Sequence, residues 1–574
     1  MLASVTADPE APHEPQAPPE PSAPPEPGAP PEPGARRKPA APPAPGVPAE
    51  GEPGASTRVL ALPRGRHGTG PARFSGSSAR RTWVSRAVVA AILCMQAVLS
   101  ARMQNTAFDN EALFLYSGHL EIGHLLHGAA LQGTYASYFP GVPVLYPVLG
   151  AAADSIGRLA AARLLSLLAM LTTTAVLYAM TRRLFNERIG LCAVVLFSVT
   201  EATIVLGSLA TNDAVSLCLL ALASWIVVRT AGWRWRAFLL AAPVAGLAVA
   251  IDYWALLYLP TVAFLAGLAA QPYQGRQALV RPLLLWAVTV ELLAGAVIAA
   301  GREYSTAARS LTATRSPGGG QALRILAEGG KWGGLVMAVA VLGAVGYAIR
   351  PRNEANERIA LPGSRRRRIA LGIALAGTAP LTLAYQLYLN TDLSLDTHIG
   401  FGLFFAAPMA GAGLARLVGD HFRRAQVGIA VWAAALILGL GQASQLFGSW
   451  PDSGPLVSEL TRYLQPGGRY LVEDASIPIY YLMGRADAQA GQFTSTYGMV
   501  YRTPRGQLLS GTQGILAAVR AGYFRVIVYN NTVTPAVDKA LVTALQSDPG
   551  YRFAGSVPEN AADFHATCYV WVRA

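Results

Sequence analysis

In the stretch Phe108-Asp109-Asn110-Glu111, two carboxylates flank a carboxamide in a chain of which only 14% of the residues are charged. A carboxylate in such a place can take a proton from an attacking hydroxyl or amine, balance a cation, or simply be solvated. Asp109 and Glu111 are the candidates for proton transfer, and Asn110 is a candidate substrate contact. Farther along, Asp213 and His398 each open an apolar run. Asp213 suits an acceptor contact or an ion pair, and equally a plain helix cap. His398 suits a hydrogen bond to a phosphate, and equally an interfacial position without function. The segment from Arg302 to Lys331 gathers Arg302, Arg309, Arg315, Arg324 and Lys331, cations that can hold a phosphate or merely be hydrated. His124 and His127 lie three apart, as on one helical face, but no Cys or HxxxH partner accompanies them. No cofactor is indicated, and a divalent metal is not called for.

These residues need a scaffold, and composition says what kind. The 574 residues are 52% hydrophobic, the mean hydropathy is +0.34, and soluble proteins carry charges on about a quarter of their residues. This is the composition of a membrane protein. The net charge of +13 comes largely from arginines in short clusters between apolar runs. Orientation in a bilayer explains them, and no nucleic-acid partner is expected.

Residues 1–82 form a disordered tail. Its core, Pro18 to Ala35, repeats every six residues and favours polyproline II. An acidic, proline-filled start is unlike a signal peptide. From Arg58 to Arg86 the chain turns basic, which marks the cytoplasmic flank of the first span.

Residues 83–449 supply apolar runs of membrane-crossing length. About eleven spans are expected, near 84–104, 159–181, 189–208, 212–229, 236–251, 253–270, 281–300, 332–349, 368–389, 398–418 and 425–447. Tyr138 to Ile156, with Pro140, Pro143 and Pro147, suits a re-entrant or interfacial segment instead. With the N-terminus inside, the cytoplasmic loops are all basic, including Arg365 to Arg368, and the short outer loops carry acids. An odd number of spans puts the C-terminus outside. The first outer loop then runs over 104–157, with an amphipathic helix from Glu111 to His127 lying at the membrane interface. The cation-rich segment 302–331 breaks the charge rule on the outer side.

Residues 450–574 read as a small extracytoplasmic α/β domain. "RYLVED", "FRVIVYN" and "CYVWVR" are strands, "TPAVDKALVTALQ" is an amphipathic helix, and no nucleotide motif is present.

Together the motifs carry a resemblance. An acidic outer loop leading into "EALFLYSGH", the segment "YFPGVPVLYPVLGAAAD", "GSLATNDAVSLCLLALASW" with Asp213, and "SLDTHIGFGLFFAAPMAG" with His398 resemble the GT-C glycosyltransferases. The branch is the bacterial family 39 type, akin to protein O-mannosyltransferases and lipid A aminoarabinose transferases. The resemblance covers about Trp83 to Phe447. It implies a multi-pass protein of the cell membrane that transfers a sugar from a polyprenyl-phosphate donor to an acceptor, with inversion, on the outer face. It implies Asp109 or Glu111 as base, Asn110, Asp213 and His398 as substrate contacts, and Arg302, Arg309, Arg315 and Lys331 as holders of the carrier phosphate. Its partners are the lipid-linked donor, membrane lipid and an acceptor of unknown kind. One departure stands out, because the family reads Asp-Glu where this chain has Asn110-Glu111. A degenerate, lipid-binding relative is therefore the alternative. A solute transporter is a weaker one, since no internal repeat is seen.

Overall fold

The computed structural model describes residues 75–131, 139, 141–142, 144–233, 236–300, 322–349, 364–391, 394–419, 422–497 and 499–574. In the membrane region the helices are α1 Ser75–Ser100, α2 Asp109–His127, α3 Tyr146–Leu184, α4 Glu187–Phe197, α5 Glu201–Leu206, α6 Asn212–Arg229 and α7 Ala241–Ile251. They continue with α8 Leu259–Gln274, α9 Arg281–Ala300, α10 Ala322–Ile349, α11 Arg365–Ala376, α12 Leu381–Leu389, α13 Leu395–Val418 and α14 Ala425–Ser449. Each expected span contains a helix, yet among the described residues only seven stretches are long and apolar enough to cross a bilayer, or eight with a pair bent by 50° counted as one. The physical reason is interruption. Residues 189–208 split into α4 and α5, the bent pair α11 and α12 breaks before Pro380, Ala237–Ile251 is short, and Tyr253–Ile298 forms one continuous apolar stretch. The protein is a multi-pass membrane protein.

Packing around α13 makes the membrane core. Twenty-one of its residues are buried, from Leu395 to Val418, and its Phe401, Phe404 and Phe405 sit among Tyr258, Leu206 and Phe197. The proline-containing segment before residue 157 ends at a break in α3, where Gly157 and Arg158 leave helical geometry and Arg158 has φ +56°.

The helix α2 differs from expectation in its surroundings. Asp109 and Glu111 lie in its first turn, His124 and His127 in its last, and Gly128 closes it with φ +66°, as the helix dipole and a left-handed cap favour. Rather than floating at the interface, it is held between α3 and the C-terminal domain. A Cβ on Gly118 would lie 1.9 Å from the Pro147 carbonyl oxygen, so glycine is what lets α2 and α3 approach. Tyr116 and Leu120 pack on the core of the C-terminal domain, and of the helix's apolar residues only Leu125 and Leu126 at its end stay exposed.

The C-terminal domain is the layered α/β unit its strands announce. It contains α15 Gly454–Thr461, β1 Tyr470–Val472, α16 Ser476–Leu482, β2 Phe493–Ser495, β3 Val500–Arg502 and β4 Leu508–Ser510. These are followed by α17 Gly511–Arg520, β5 Val526–Tyr529, α18 Pro535–Ser547, β6 Tyr551–Asn560 and β7 His565–Arg573. The main sheet has the order β2-β1-β5-β7-β6, parallel across β2, β1 and β5 and antiparallel beyond; β3 and β4 form a separate hairpin. Strand alternation sends Val526 and Val528 toward α15 and α16, and Ile527 and Tyr529 toward α17 and α18, so helices cover both faces. Chain connections leave β1 toward β2 on one side and β5 on the other. Clefts outside the carboxyl ends of strands at such a reversal are where open α/β sheets bind ligands.

Candidate active site

The two acids of the opening tetrapeptide point to different fates. Glu111 is fully buried, and its carboxylate accepts from Arg163 Nε at 2.9 Å, Arg163 NH2 at 2.7 Å, the Ala210 N–H at 2.7 Å and the Phe108 N–H at 3.0 Å. Arg163 spends its remaining donors on the carbonyls of Asn105 and Thr106. A carboxylate with that many charge-assisted and backbone donors is a fastener: it ties the segment between α1 and α2 to α3 and to the turn before α6.

Asp109 is only half-buried, and its Oδ1 has no hydrogen-bond partner. It lines a cavity of about 370 Å³ together with Trp450, Glu473, Asp474, Tyr497 and Asn530. That cavity lies at the carboxyl ends of β1, β2 and β5, and its lining contains four carboxyl groups (with Glu559) and no Lys or Arg. Burial, and then the neighbouring Asp109 carboxylate, push Asp474 well above the ordinary carboxylate range, which favours its protonated form. Glu473 is held by the backbone N–H groups of Asn530 at 2.6 Å, Thr532 at 3.0 Å, Val533 at 2.5 Å and Thr534 at 2.8 Å.

The loop is clamped to the domain by direct bonds. The Phe108 and Trp450 rings stack at 4.6 Å, Trp450 Nε1 donates to the Ala107 carbonyl at 3.2 Å, and the Ala107 N–H donates to Tyr481 Oη at 2.9 Å. Tyr480 donates to Asp154 Oδ1 at 2.6 Å, while His119 Nε2 meets Asp154 Oδ2 at 2.7 Å.

A second centre lies where α6, α7 and α13 have their ends. His398 Nε2 stands 3.4 Å from Asp213 Oδ1, its ring stacks on Trp254 at 4.1 Å, and Asp252 joins them with Oδ1 accepting the Trp254 N–H at 3.1 Å. The Ala210 N–H that Glu111 accepts belongs to the turn leading into Asp213, so one carboxylate connects the start of α2 to this centre.

The remaining expected residues divide. Asn110 is exposed beside Asp109. Lys331 pairs with Glu328 at 3.7 Å and lies over the Trp332 ring at 4.3 Å. Arg302, Arg309 and Arg315 lie outside the described residues. His124 bonds the Ala129 carbonyl at 2.7 Å as part of the helix end, and His127 is exposed. Sequence reading missed Arg163, Asp154, Asp252 and Asp474 as site residues. Arg163 had a signal, being an arginine inside an apolar run, and Glu473-Asp474 had another, being two acids at the end of a buried strand.

A family model described as dolichyl-phosphate-mannose-protein mannosyltransferase matches residues 142–299. No curated protein matches the chain. Among solved structures, ArnT from Cupriavidus metallidurans bound to undecaprenyl phosphate is similar with a TM-score of 0.50 and 13% identity, over 85% of this chain and 98% of that one. The Archaeoglobus fulgidus oligosaccharyltransferase in complex with Zn and sulfate gives a TM-score of 0.46 and 14% identity, over 80% of this chain and 71% of that one. The match within the membrane region and the superposition along nearly all of ArnT agree with the motifs, and the chain has an ArnT-like GT-C fold.

Proposed function

We propose that the protein transfers a glycosyl group from a polyprenyl-phosphate carrier to an acceptor hydroxyl or amine at the outer face of the membrane, with inversion and with Asp109 as base. The carrying observation is the free Oδ1 of Asp109 on the wall of the strand-end cavity, on a fold shared with a protein solved with undecaprenyl phosphate. A cavity lined with aromatic rings and carboxyl groups and without a cation suits a sugar or amine acceptor and repels a phosphate. The acceptor O–H or N–H gives its proton to Asp109 as the oxygen or nitrogen bonds the anomeric carbon. The bond from that carbon to the carrier oxygen breaks, and polyprenyl phosphate leaves with the electron pair. Asp474, protonated, donates to Asp109 and holds it in place. Glu111 positions the loop. Asp213 and His398 face the donor, and Arg302, Arg309, Arg315 and Lys331 serve its phosphate.

Incubation of the purified protein with radiolabelled polyprenyl-phosphate sugars and a membrane extract tests this. Label appears in an acceptor fraction, and its absence with every donor sinks the reading. The outer placement is checked separately: Lys539, exposed on the C-terminal domain, is replaced by Cys, because native Cys568 is buried. A membrane-impermeant thiol reagent labels that cysteine in intact cells. One observation favours a second reading, carrier binding without transfer: the exposed Asn110 stands where the family has its first acid.

A further inference from the structure

We infer that Asp213, Asp252 and His398 form a binding site for one first-row divalent cation, of the Mn²⁺ or Zn²⁺ class. The three residues come from separate elements: the start of α6, the residue after α7, and the start of α13. Their potential ligand atoms all lie within 4.8 Å of one another. The spacing of one pair is telling. At 3.4 Å, His398 Nε2 and Asp213 Oδ1 are longer than a well-made N–H···O bond. Two ligands about 2.1 Å from a tetrahedral ion lie roughly 3.4 Å apart, so this gap is that of co-ligands.

Unmet bonding capacity points the same way. Asp252 is completely buried and its Oδ2 has no partner. Neither carboxylate has a Lys or Arg partner among the described residues, in contrast to Glu111 with Arg163. Two buried carboxylates side by side are costly unless a positive charge joins them, and a divalent ion cancels both. Supporting contacts are already built. The Trp254 N–H fixes Asp252 through Oδ1, leaving Oδ2 for the ion, and the Trp254 ring fixes the His398 imidazole by stacking. Two carboxylates and one imidazole are a mixed oxygen and nitrogen donor set, which suits Mn²⁺ and Zn²⁺ better than Ca²⁺. Three protein ligands leave coordination positions for water or a further oxygen ligand.

The site is independent of the transferase reading and is tested with metal alone. The full-length protein, stripped with a chelator in detergent, is titrated with Mn²⁺ while the free-ion spin resonance signal is followed, and Zn²⁺ content is measured after dialysis. One ion per chain is expected, with a rise in Tm on binding. Asp252→Asn and His398→Gln each weaken binding by about tenfold or more, as loss of a ligand does at least as strongly as loss of a supporting contact. Their metal-free Tm values show that they fold. If one does not, the other and Asp213→Asn carry the test. No stoichiometric ion in the unaltered protein, or an affinity unmoved by the folded variants, overturns the site.

Discussion

The two sides of α2 treat their acids oppositely. On the side toward α3, Glu111 is buried under four donated hydrogen bonds and neutralised by Arg163. On the side toward the C-terminal domain, Asp109 keeps an unpartnered oxygen beside Asp474, whose carboxyl is pushed well above the ordinary range, and an open cavity. A carboxylate whose lone pairs are all taken can fix geometry but has nothing left for a substrate. One left short of partners in a fold that satisfies its neighbour is the group available for chemistry.

The largest expected effect separates those two roles in activity. Asp109→Asn removes the base and lowers transfer by about 10²–10⁴-fold, while binding of the lipid carrier is retained. Glu111→Gln keeps most of its hydrogen bonds and lowers activity less. If Asn110→Asp raises the rate sharply and Asp109→Asn does nothing, the assignment of the base is wrong, and the native chain is an impaired or repurposed relative.

In stability the order reverses. Arg163→Ala strands a buried carboxylate, at a cost of about 3–5 kcal/mol, seen as a lower Tm in detergent and faster proteolysis of the segment between α1 and α2. Asp109→Asn changes Tm little, because the amide oxygen still accepts from Asp474 and no charge is stranded. Equal losses in the two variants would erase the distinction between the two sides.

How much of this was legible in sequence follows from how locally each feature is written. Apolar runs and strand alternation sit within a few residues of one another, so the helices of the membrane region and β1, β5 and β7 are read off directly. The breaks between α4 and α5 and between α11 and α12 were hidden, because each half keeps the hydropathy of a single span. Asp109, Glu111, Asp213 and His398 stand out by residue type at the edges of apolar runs. Arg163 and Asp474 stand out by type as well, one inside an apolar run and one at the end of a buried strand. What they and Asp252 hold is set by contacts between distant segments, which no spacing rule records.

The same contrast between a satisfied and an unsatisfied acid recurs inside the C-terminal domain and can be titrated. Glu473 takes four backbone N–H groups, while burial, and then Glu473 itself, push neighbouring Asp538 up to about 8. In the unfolded chain an aspartate loses its proton near pH 4. Between about pH 4 and 8 the folded state therefore holds the extra proton, and stability falls as pH rises. Asp538→Asn removes that decline, so the variant gains on the unaltered protein as Tm is followed from pH 5 to pH 8. Parallel curves would mean that Asp538 titrates normally.

The smallest effect concerns the clamp that joins the two sides. Tyr480 and His119 both bond Asp154, so the C-terminal domain and α2 meet on one carboxylate of α3. Removing the hydroxyl in Tyr480→Phe leaves Asp154 its bond to His119, and the ring keeps its edge contact with Tyr481 at 4.8 Å. The cost is therefore one hydrogen bond to a carboxylate with no stranded charge, about 1–2 kcal/mol. Because the domain also holds the loop through Trp450 and Tyr481, the loss registers as faster hydrogen exchange in α16 and the start of α3 rather than as global unfolding. If exchange instead accelerates along the whole of α2, Asp154 is the main attachment of α2, and Glu111 is the lesser fastener.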